Sequence, residues 1–224
     1  MPDGGSTARA AHRYCGPEPQ HRRLPMSDKQ TMAVYAKAAE DYAKGFARTK
    51  DTVHDRDYAT FVAGLPDGGT VLDLGCGPGH WAARFRDEGL HVTAMDASPE
   101  MARYAKDTYG IDVTVATFED IDTTAHYDGI WAFFSLLHAP RTDFPGHLLR
   151  LHRALKPGGM LALGMKLGTG ERRDTLGRFY TYYSEDALRA LLAEAGFEVL
   201  GARCANSKGL AGARETFVVL TAHA

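Results

Sequence analysis

Residues 71–81, VLDLGCGPGHW, decide the fold, because they join an apolar run to a turn that contains three glycines. Residues 70–74 are typical of a short buried strand, and the residues after the turn are typical of a helix. Gly75, Gly77 and Gly79 leave backbone N–H groups and the positive end of that helix open to a ligand. The stretch therefore predicts a turn that a nucleotide cofactor can approach closely.

Short apolar strands alternate with helical segments along the rest of the chain. The predicted strands are residues 70–74, 91–95, 112–116, 129–134, 160–165, 197–202 and 215–221. The predicted helices are residues 31–47, 52–63, 79–88, 99–109, 144–155 and 184–195. Such alternation implies crossover connections and a sheet that is covered on both faces. We predict a doubly wound α/β fold with a seven-stranded, mostly parallel sheet and an N-terminal helical cap at about residues 30–64.

The composition of the chain argues against several classes of function. The 26 Lys and Arg against 28 Asp and Glu give a net charge of -2, which does not attract nucleic acid or anionic membranes. The apolar runs are shorter than the roughly 20 residues of a membrane span. The three cysteines form no CxxC pair, so we expect neither a disulfide framework nor a metal site. Residues 1–25 lack the apolar core of a secretory signal, and we expect them to be a disordered tail before a cytoplasmic domain at residues 26–224.

The spacing of the glycines indicates whether the turn would bind a dinucleotide cofactor or another kind of nucleotide cofactor. The fingerprint of dinucleotide folds is G-x-G-x-x-G, whereas this turn has G-x-G-x-G and places His80 where the third glycine of that fingerprint belongs. The mismatch counts against NAD and FAD.

Two motifs resemble those of a known family. Residues 72–79, LDLGCGPG, resemble motif I of the class I S-adenosylmethionine-dependent methyltransferases, and residues 95–101, MDASPEM, are similar to its motif II. The resemblance implies that Asp73 organises the turn and approaches the methionine ammonium group, and that Asp96 accepts hydrogen bonds from the ribose hydroxyls. Either acid alone is equally consistent with a helix cap. Together with the glycine turn between them, they predict S-adenosylmethionine as the cofactor.

The resemblance continues along the chain. Residues 116–120, ATFED, resemble motif III, which implies that the Phe118 amide and Glu119 meet the adenine, although Thr117 stands where many relatives carry an acid. Residues 127–138 resemble motif IV, and residues 155–159, LKPGG, resemble the family's post-strand signature. The cofactor-binding residues that the resemblance implies are Asp73, Gly75, Cys76, Gly77, Gly79, Trp81, Asp96, Ala97, Met101, Phe118, Glu119 and Phe133.

The region after the fourth strand is where we expect the acceptor, the molecule that receives the methyl group, to bind. DNA methyltransferases are marked by an Asn/Asp-Pro-Pro-aromatic tetrapeptide or by a Pro-Cys pair. This region lacks the tetrapeptide, and the chain lacks the Pro-Cys pair. Residues 135–138, SLLH, and 177–183, GRFYTYY, resemble a bacterial branch of small-metabolite methyltransferases. We therefore expect a small-molecule acceptor, whose reacting atom the sequence does not identify, and the oligomeric state is equally open.

His138 is the predicted catalytic residue. Methyl transfer from a sulfonium needs mainly alignment and exclusion of water. A histidine at the carboxyl end of the fourth strand can in addition act as a general base, because its unperturbed pKa lies near neutral pH. The alternative is a histidine that only satisfies loop backbone.

Several other side chains are candidates for holding the acceptor. An anionic group, such as a carboxylate or phosphonate, is expected if the basic residues converge with His138. Tyrosines on the first helix are candidates for a lid, and those after position 179 for a pocket wall, with core packing as the alternative for both. The predicted substrate-binding residues are Tyr35, Tyr42, His138, Lys166, Arg178, Tyr180 and Tyr182.

Two rival functions stay open at this point. One is a nicotinamide-dependent oxidoreductase, which the glycine spacing disfavours. The other is a non-catalytic module that binds S-adenosylmethionine or a protein partner, which only turnover can exclude. Fold alone does not decide among them, because similar sheets serve many reactions.

Overall fold

The computed structural model describes residues 28–37, 54–212 and 214–224. The expected tail at residues 1–25 lies outside these described residues, as do Tyr42 and much of the predicted first helix.

A seven-stranded sheet forms the centre of the described chain. Its strands are β1 (Thr70–Leu74), β2 (His91–Asp96), β3 (Val113–Val115), β4 (Tyr127–Phe133), β5 (Leu155–Lys166), β8 (Glu198–Lys208) and β9 (Arg214–His223). They lie in the order β3-β2-β1-β4-β5-β9-β8. Every pair from β3 to β5 is parallel, whereas β9 is antiparallel to both of its neighbours. The strand order reverses between β1 and β4, and ligands of open α/β sheets bind at such a point, beyond the carboxyl ends of the strands.

Helices cover the two faces of the sheet. They are α2 (Asp55–Ala63), α3 (His80–Asp87), α4 (Pro99–Tyr109), α5 (Phe144–Ala154) and α6 (Glu185–Glu194), preceded by a helix α1 that includes residues 29–37. Ser98 and Ser184 cap α4 and α6, since each hydroxyl accepts the backbone N–H three residues on. Short 3-10 helices follow β3 at Phe118–Asp120 and β4 at Leu136–His138. The predicted doubly wound, mostly parallel seven-stranded fold is confirmed.

An aromatic cluster fills the core beneath α2 and α3. Tyr58, Phe61, Trp81, Phe85 and Trp131 are all buried there, and the rings of Tyr58 and Trp81 stack with centroids 5.4 Å apart. Aromatic side chains bury large apolar areas, so this cluster is a major source of stability for that face of the sheet.

A second, small sheet escaped the sequence analysis. β6 (Glu171–Arg173) and β7 (Phe179–Thr181) pair as an antiparallel hairpin between β5 and α6. The strand ERR is fully exposed and has no apolar alternation, so its sequence carries no strand signal. The hairpin lies beside the carboxyl end of β4, because Thr181 donates its hydroxyl hydrogen to the Ala139 carbonyl at 2.7 Å.

Within the described ranges, no helix has both the length and the apolar character needed to span a bilayer. The same residues contain no group of three or more His, Cys, Asp or Glu arranged to hold a metal ion.

Candidate active site

A cavity of about 280 Å³ opens beyond the carboxyl ends of β1, β2 and β4. Residues from the glycine turn, from the loops after β2, β3 and β4, from α1 and from the β6–β7 hairpin line it. Of the residues predicted for the cofactor or acceptor, those that line it are Tyr35, Gly75, Gly77, Asp96, Ala97, Met101, Phe118, Glu119, Phe133 and His138. The fold thus brings together at one site residues that are far apart in sequence.

The glycine turn has a backbone conformation that disfavours residues with a side chain, and it is packed too closely for a Cβ at two of its positions. Gly75, Gly77 and Gly79 have φ angles of +70°, +53° and +82°, in the left-handed region that favours glycine. A Cβ on Gly75 would lie 2.3 Å from the Cβ of Ser135, and one on Gly79 would lie 2.7 Å from the Cβ of Ala105. The glycines therefore allow both the turn itself and its close packing.

Asp96, at the end of β2, is tied to the glycine turn. Its Oδ2 accepts the Gly77 N–H at 2.8 Å, and its Oδ1 accepts the Ser98 N–H at 2.8 Å. Burial raises the pKa of Asp96, while these N–H groups and that of Ala97 oppose the rise. A carboxylate has about four acceptor positions, so both oxygens can still accept hydrogen bonds from a ligand in the cavity that Asp96 lines.

Asp73 lies beneath the turn and is absent from the cavity lining. Only 2% of it is exposed, and its Oδ2 has no hydrogen-bond partner among the described residues. Burial, with a smaller contribution from Asp96, raises the pKa of Asp73 to about 8, against a backbone N–H from Ala82 that lowers it. Asp73 is therefore a buried residue of β1 that does not face the cavity.

Three more of the residues predicted for the cofactor are outside the lining. Cys76 is buried, and burial raises the pKa of its thiol, so it packs as an apolar residue. Gly79 precedes α3 as its N-cap residue. Trp81 belongs to the aromatic cluster and lies behind Phe133, with ring centroids 5.9 Å apart. These three residues therefore do not contact the cavity directly.

The loop after β3 forms the far end of the cavity. Thr117 and Asp120 fix it, because Asp120 Oδ2 accepts the Thr117 N–H at 2.7 Å and the Thr117 hydroxyl at 2.8 Å. Phe118 and Glu119 lie between them and line the cavity. Thr117, which departs from the family pattern, therefore has a structural role as the cap of this 3-10 helix.

His138 lies at the end of the 3-10 helix after β4, and both its ring nitrogens have partners. Its Nδ1 is 2.6 Å from the Phe179 carbonyl oxygen and its Nε2 is 2.8 Å from the Tyr35 hydroxyl. Since a carbonyl can only accept, Nδ1 carries the proton and Nε2 has the lone pair. Burial lowers the pKa of His138 to about 4, and the charges of Arg178 and Lys166 lower it further. His138 is therefore a neutral acceptor near neutral pH.

Tyr35 connects His138 to a buried ion pair. Its hydroxyl accepts a hydrogen bond from Arg178 Nη1 at 3.2 Å while it donates to His138. Arg178 is only 3% exposed, and its Nε and Nη2 donate to Asp174 Oδ2 at 2.9 and 2.6 Å. Burial raises the pKa of Tyr35, which keeps the phenol protonated in spite of the nearby guanidinium. Asp174, Arg178, Tyr35 and His138 thus form one chain of hydrogen bonds that ends at the cavity.

The other residues predicted to bind the methyl acceptor lie outside the cavity lining. Lys166 forms an ion pair with Glu215, and its Nζ lies 3.7 Å from the centre of the Tyr180 ring. Tyr182 donates its hydroxyl hydrogen to Glu215 at 3.3 Å. Lys166 and Arg178 lie near enough to lower the pKa of His138, but each already has a carboxylate partner.

Helix α1 closes one side of the cavity through polar contacts to the hairpin. Asp28 receives hydrogen bonds from Arg173 Nη1 and Nη2 at 2.9 and 2.6 Å. The Phe179 N–H donates to the Thr31 hydroxyl oxygen at 2.8 Å. With the hydrogen bond from Tyr35, these contacts attach α1 to both the hairpin and the end of β4.

Sequence reasoning missed several lining residues. Phe134 has a φ of +57°, rare for a residue other than glycine and a common mark of functional sites. His147 comes from α5, far from every motif, and Thr31 and Arg173 come from elements whose contacts no spacing indicates. Of these four residues, only Phe134 lies in a segment that resembles a family motif, residues 127–138.

A model of the methyltransferase domain family matches residues 46–202, more than half of the chain. The chain belongs to this family. The resemblance drawn from the glycine turn and the two acidic motifs is thereby confirmed.

The relatives of the chain have different acceptors. It is 32% identical to a malonyl-[acyl-carrier protein] O-methyltransferase of Enterobacter lignolyticus over 62% of this chain and 55% of that protein. It is 35% identical to a 2-methyl-6-phytyl-1,4-hydroquinone methyltransferase of Synechocystis over 54% of this chain and 40% of that protein. The chain therefore spans about half the length, or less, of these curated relatives.

A solved structure extends the likeness to nearly the whole fold. It is the 1,6-didemethyltoxoflavin-N1-methyltransferase of Burkholderia thailandensis with bound 1,6-didemethyltoxoflavin and S-adenosylhomocysteine. The identity is 23%, the TM-score is 0.70, and the match covers 94% of this chain and 97% of that one. At this identity the likeness shows the fold.

Proposed function

We propose that this protein transfers the methyl group of S-adenosylmethionine to a small-molecule acceptor. The observation that carries the proposal is Asp96, whose two oxygens each accept a backbone N–H and still have acceptor positions open at the cavity. Those positions suit the two neighbouring hydroxyls of a ribose. Family membership supports the same reading.

The residues of the turn fit this cofactor. Gly75 and Gly77 line the cavity, and they present only backbone there because glycine has no side chain. Gly77 connects the turn to the ribose site through its N–H bond to Asp96. The apolar surfaces of Met101 and Phe118 suit a flat purine. The glycine turn, Asp96 and these two side chains would hold the adenosyl group.

When bound, S-adenosylmethionine supplies an electrophilic methyl group whose bonding pair leaves with sulfur, so no acid is needed for the leaving group. The protein must align the acceptor and exclude water. Phe133, Phe134 and Phe179 line the cavity with apolar rings, and α1 closes one side of it. We assign the exclusion of water to these elements.

We further propose that Tyr35 and His138 remove the acceptor's proton when the acceptor is a hydroxyl. Its O–H bond breaks, the proton passes to the Tyr35 oxygen, and the Tyr35 proton passes to His138 Nε2 along the 2.8 Å hydrogen bond. The electron pair left on the acceptor oxygen forms the new bond to the methyl carbon. Because burial raises the pKa of Tyr35, the two proton movements are coupled and no phenolate accumulates.

A neutral hydroxyl acceptor fits the charges around the cavity. Lys166, Arg173 and Arg178 each have a carboxylate partner, so an anionic acceptor would have to compete with Glu215, Asp28 or Asp174. The anionic acceptor stays a prediction. One relative is named for malonyl-[acyl-carrier protein], so carboxylates belong in the test.

The test is formation of S-adenosylhomocysteine from S-adenosylmethionine with panels of phenols, aliphatic alcohols, carboxylates and amines. We expect turnover with hydroxyl acceptors and its loss in His138→Phe. Turnover with a hydroxyl acceptor that His138→Phe leaves unchanged would contradict the proton relay. Absence of S-adenosylmethionine binding would contradict the whole proposal.

The remaining expectations are also proposals. The net charge of -2 supports a protein that does not act on nucleic acid, and we propose that it is cytoplasmic. Cys76 and Cys204 are free, which is consistent with a reducing compartment. We propose one catalytic domain at residues 26–224 with a helical cap at about residues 30–64, whose described part is α1 and α2.

A further inference from the structure

An ion pair between Asp28 and Arg173 borders the cavity, and both side chains line it. Arg173 Nη1 donates to Asp28 Oδ1 at 2.9 Å and Nη2 donates to Asp28 Oδ2 at 2.6 Å, so the two groups meet in a bidentate arrangement. The side chains of Arg173 and Asp28 are 39% and 25% exposed, so a dissolved molecule can reach the pair. An acceptor that enters the cavity with a charged group therefore meets both members of this pair.

Further hydrogen bonds fix both members of the pair. Asp28 directly precedes α1, and its Oδ1 also accepts the Thr31 N–H at 2.8 Å. Arg173 Nη1 also donates to the Gly177 carbonyl oxygen at 2.8 Å. The hydrogen bonds from Arg173 hold the pKa of the Asp28 carboxyl well below its usual range. Asp28 is thus a preorganised anion that occupies the guanidinium before any ligand does.

Asp28 lies on the same side of α1 as Tyr35. Asp28, Thr31 and Tyr35 are spaced at i, i+3 and i+7, which puts them along one face of the helix, and all three line the cavity. Tyr35 is two turns from Asp28, about 10 Å along the helix axis. An acceptor whose hydroxyl contacts Tyr35 can therefore reach Asp28 and Arg173 with its opposite end.

The charges of the cavity lining favour an uncharged group at that end. Among the described residues that line the cavity, Asp28, Asp96 and Glu119 supply carboxyl groups and Arg173 supplies a guanidinium. Since Asp28 already matches the charge of Arg173, a second carboxylate placed beside the pair would be repelled by Asp28 as well as attracted by Arg173. Such a juxtaposition of like charges is a common source of discrimination between ligands.

We propose that Asp28 is a specificity-determining residue that makes the acceptor site prefer hydroxyl acceptors without a negative charge at their far end. The inference rests on the proposed function, which places the reacting hydroxyl at Tyr35. Asp28 acts by binding Arg173, so removal of its charge would leave a guanidinium at the cavity for the acceptor's own carboxylate. A guanidinium binds carboxylates in the same bidentate geometry that it adopts here with Asp28.

The test uses two pairs of acceptors that differ in charge but little in shape: 4-hydroxybenzoate with 4-hydroxybenzamide, and 4-hydroxycinnamate with 4-hydroxycinnamamide. The measured quantity is the ratio of kcat/KM for the amide to kcat/KM for the acid. For a pair that is not methylated, the ratio of the acid's inhibition constant to the amide's, against a hydroxyl acceptor that is methylated, replaces it. We expect the wild type to prefer the amides by about tenfold or more, because like charges at close range repel.

Two variants should shift this ratio in opposite directions. Asp28→Asn removes the negative charge but keeps a side chain that can cap α1, and it should lower the ratio at least about tenfold. Arg173→Gln leaves Asp28 without its cation, and it should raise the ratio above the wild-type value. A merely structural role would impair both acceptors of a pair alike, so opposite shifts in the two variants identify the charges as the cause.

Asp112→Asn is the matched control, because it removes the same charge from a carboxylate that pairs with Lys106 and is not part of the cavity lining. The control should keep the wild-type ratio. A wild type that takes the acids as well as the amides, or a folded Asp28→Asn protein with the wild-type ratio, would overturn this inference alone. A wild type that methylates no hydroxyl acceptor would overturn the proposed function and the inference with it.

Discussion

The Tyr35 hydroxyl lies 2.8 Å from His138 Nε2, so a side chain of α1 occupies the acceptor nitrogen of the predicted general base. The contact joins two elements more than a hundred residues apart, and Arg178 approaches the same hydroxyl from its other side at 3.2 Å. Any proton that reaches His138 Nε2 in this closed arrangement passes through Tyr35.

Tyr35→Phe should therefore impair catalysis more than cofactor binding. We expect kcat with a hydroxyl acceptor to fall at least about tenfold, since general base catalysis contributes about 10²–10⁴. The Kd for S-adenosylhomocysteine should stay within about twofold. Steady-state kinetics and calorimetry measure the two quantities, with Tyr104→Phe, outside the cavity lining, as the control. A variant with kcat equal to or above the wild-type value would show that Tyr35 blocks His138 rather than relaying a proton to it.

The acid limb of the pH profile should lie well below the ordinary titration of histidine. Because burial and nearby cations lower the pKa of His138 to about 4, the base form persists as the pH falls through 6.5. We expect kcat/KM for a hydroxyl acceptor to stay level from about pH 8 to about pH 5.5 and to fall only below that. Circular dichroism at each pH verifies folding. A midpoint near 6.5 that disappears in His138→Asn would contradict the buried, neutral state of this histidine.

Gly75→Ala should cost more stability than the same change at Gly68. The two glycines have φ angles of +70° and +65°, so the backbone penalty, about 1–2 kcal/mol, is similar. A Cβ at position 75 meets the Ser135 Cβ at 2.3 Å, whereas one at position 68 has nothing within 4 Å. Urea denaturation should show the larger loss at position 75, accompanied by weaker S-adenosylhomocysteine binding. Equal losses would mean that the turn relaxes around the methyl group.

Asp73→Asn should remove a pH dependence of stability. The pKa of Asp73 in the folded protein is about 8 and its ordinary value is 3.8, so between these values the folded state holds a proton that the unfolded state has lost. The contribution of this group to stability therefore falls as the pH rises, by about 1.4 kcal/mol per pH unit within that window. Denaturation at pH 5.5, 6.5 and 7.5 measures the slope.

The control for this pH experiment is Asp112→Asn, which alters an exposed carboxylate that pairs with Lys106. It should keep the wild-type slope. If Asp73→Asn also kept that slope, Asp73 would be ionised in the folded protein at neutral pH, and its burial beneath the turn would require a partner outside the described residues.

The sequence predicted the parts of the site whose chemistry is local. The strand before Gly75 and the helix after Gly79 follow from apolar runs and glycine punctuation, and the motif containing Asp96 lies one helix and one strand further on. Parallel strands bring their carboxyl ends to one edge of the sheet, so the approach of Asp96 to the turn was implied by topology. These are relationships that a one-dimensional pattern can encode.

Other parts of the site depend on contacts that no local pattern encodes. The hairpin that carries Arg178 has a charged, exposed strand, and its pairing with Asp174 neutralises the cation that was expected to meet the acceptor. His147 sits on a helix whose amphipathic pattern gives no reason to separate it from other buried positions. Trp81 was expected to bind the cofactor, yet its large ring belongs to the aromatic cluster. Tertiary packing decided each of these outcomes.

Titration calorimetry of S-adenosylmethionine, S-adenosylhomocysteine and NAD against the wild type and Asp96→Ala tests the central claim most directly. The account predicts micromolar binding of both adenosyl ligands, no binding of NAD, and a loss of roughly tenfold or more in Asp96→Ala, because hydrogen bonds to a charged group contribute about 1.5–3 kcal/mol. Asp112→Ala should bind like the wild type. Adenosyl binding that is absent, or that Asp96→Ala leaves unchanged, would contradict the account.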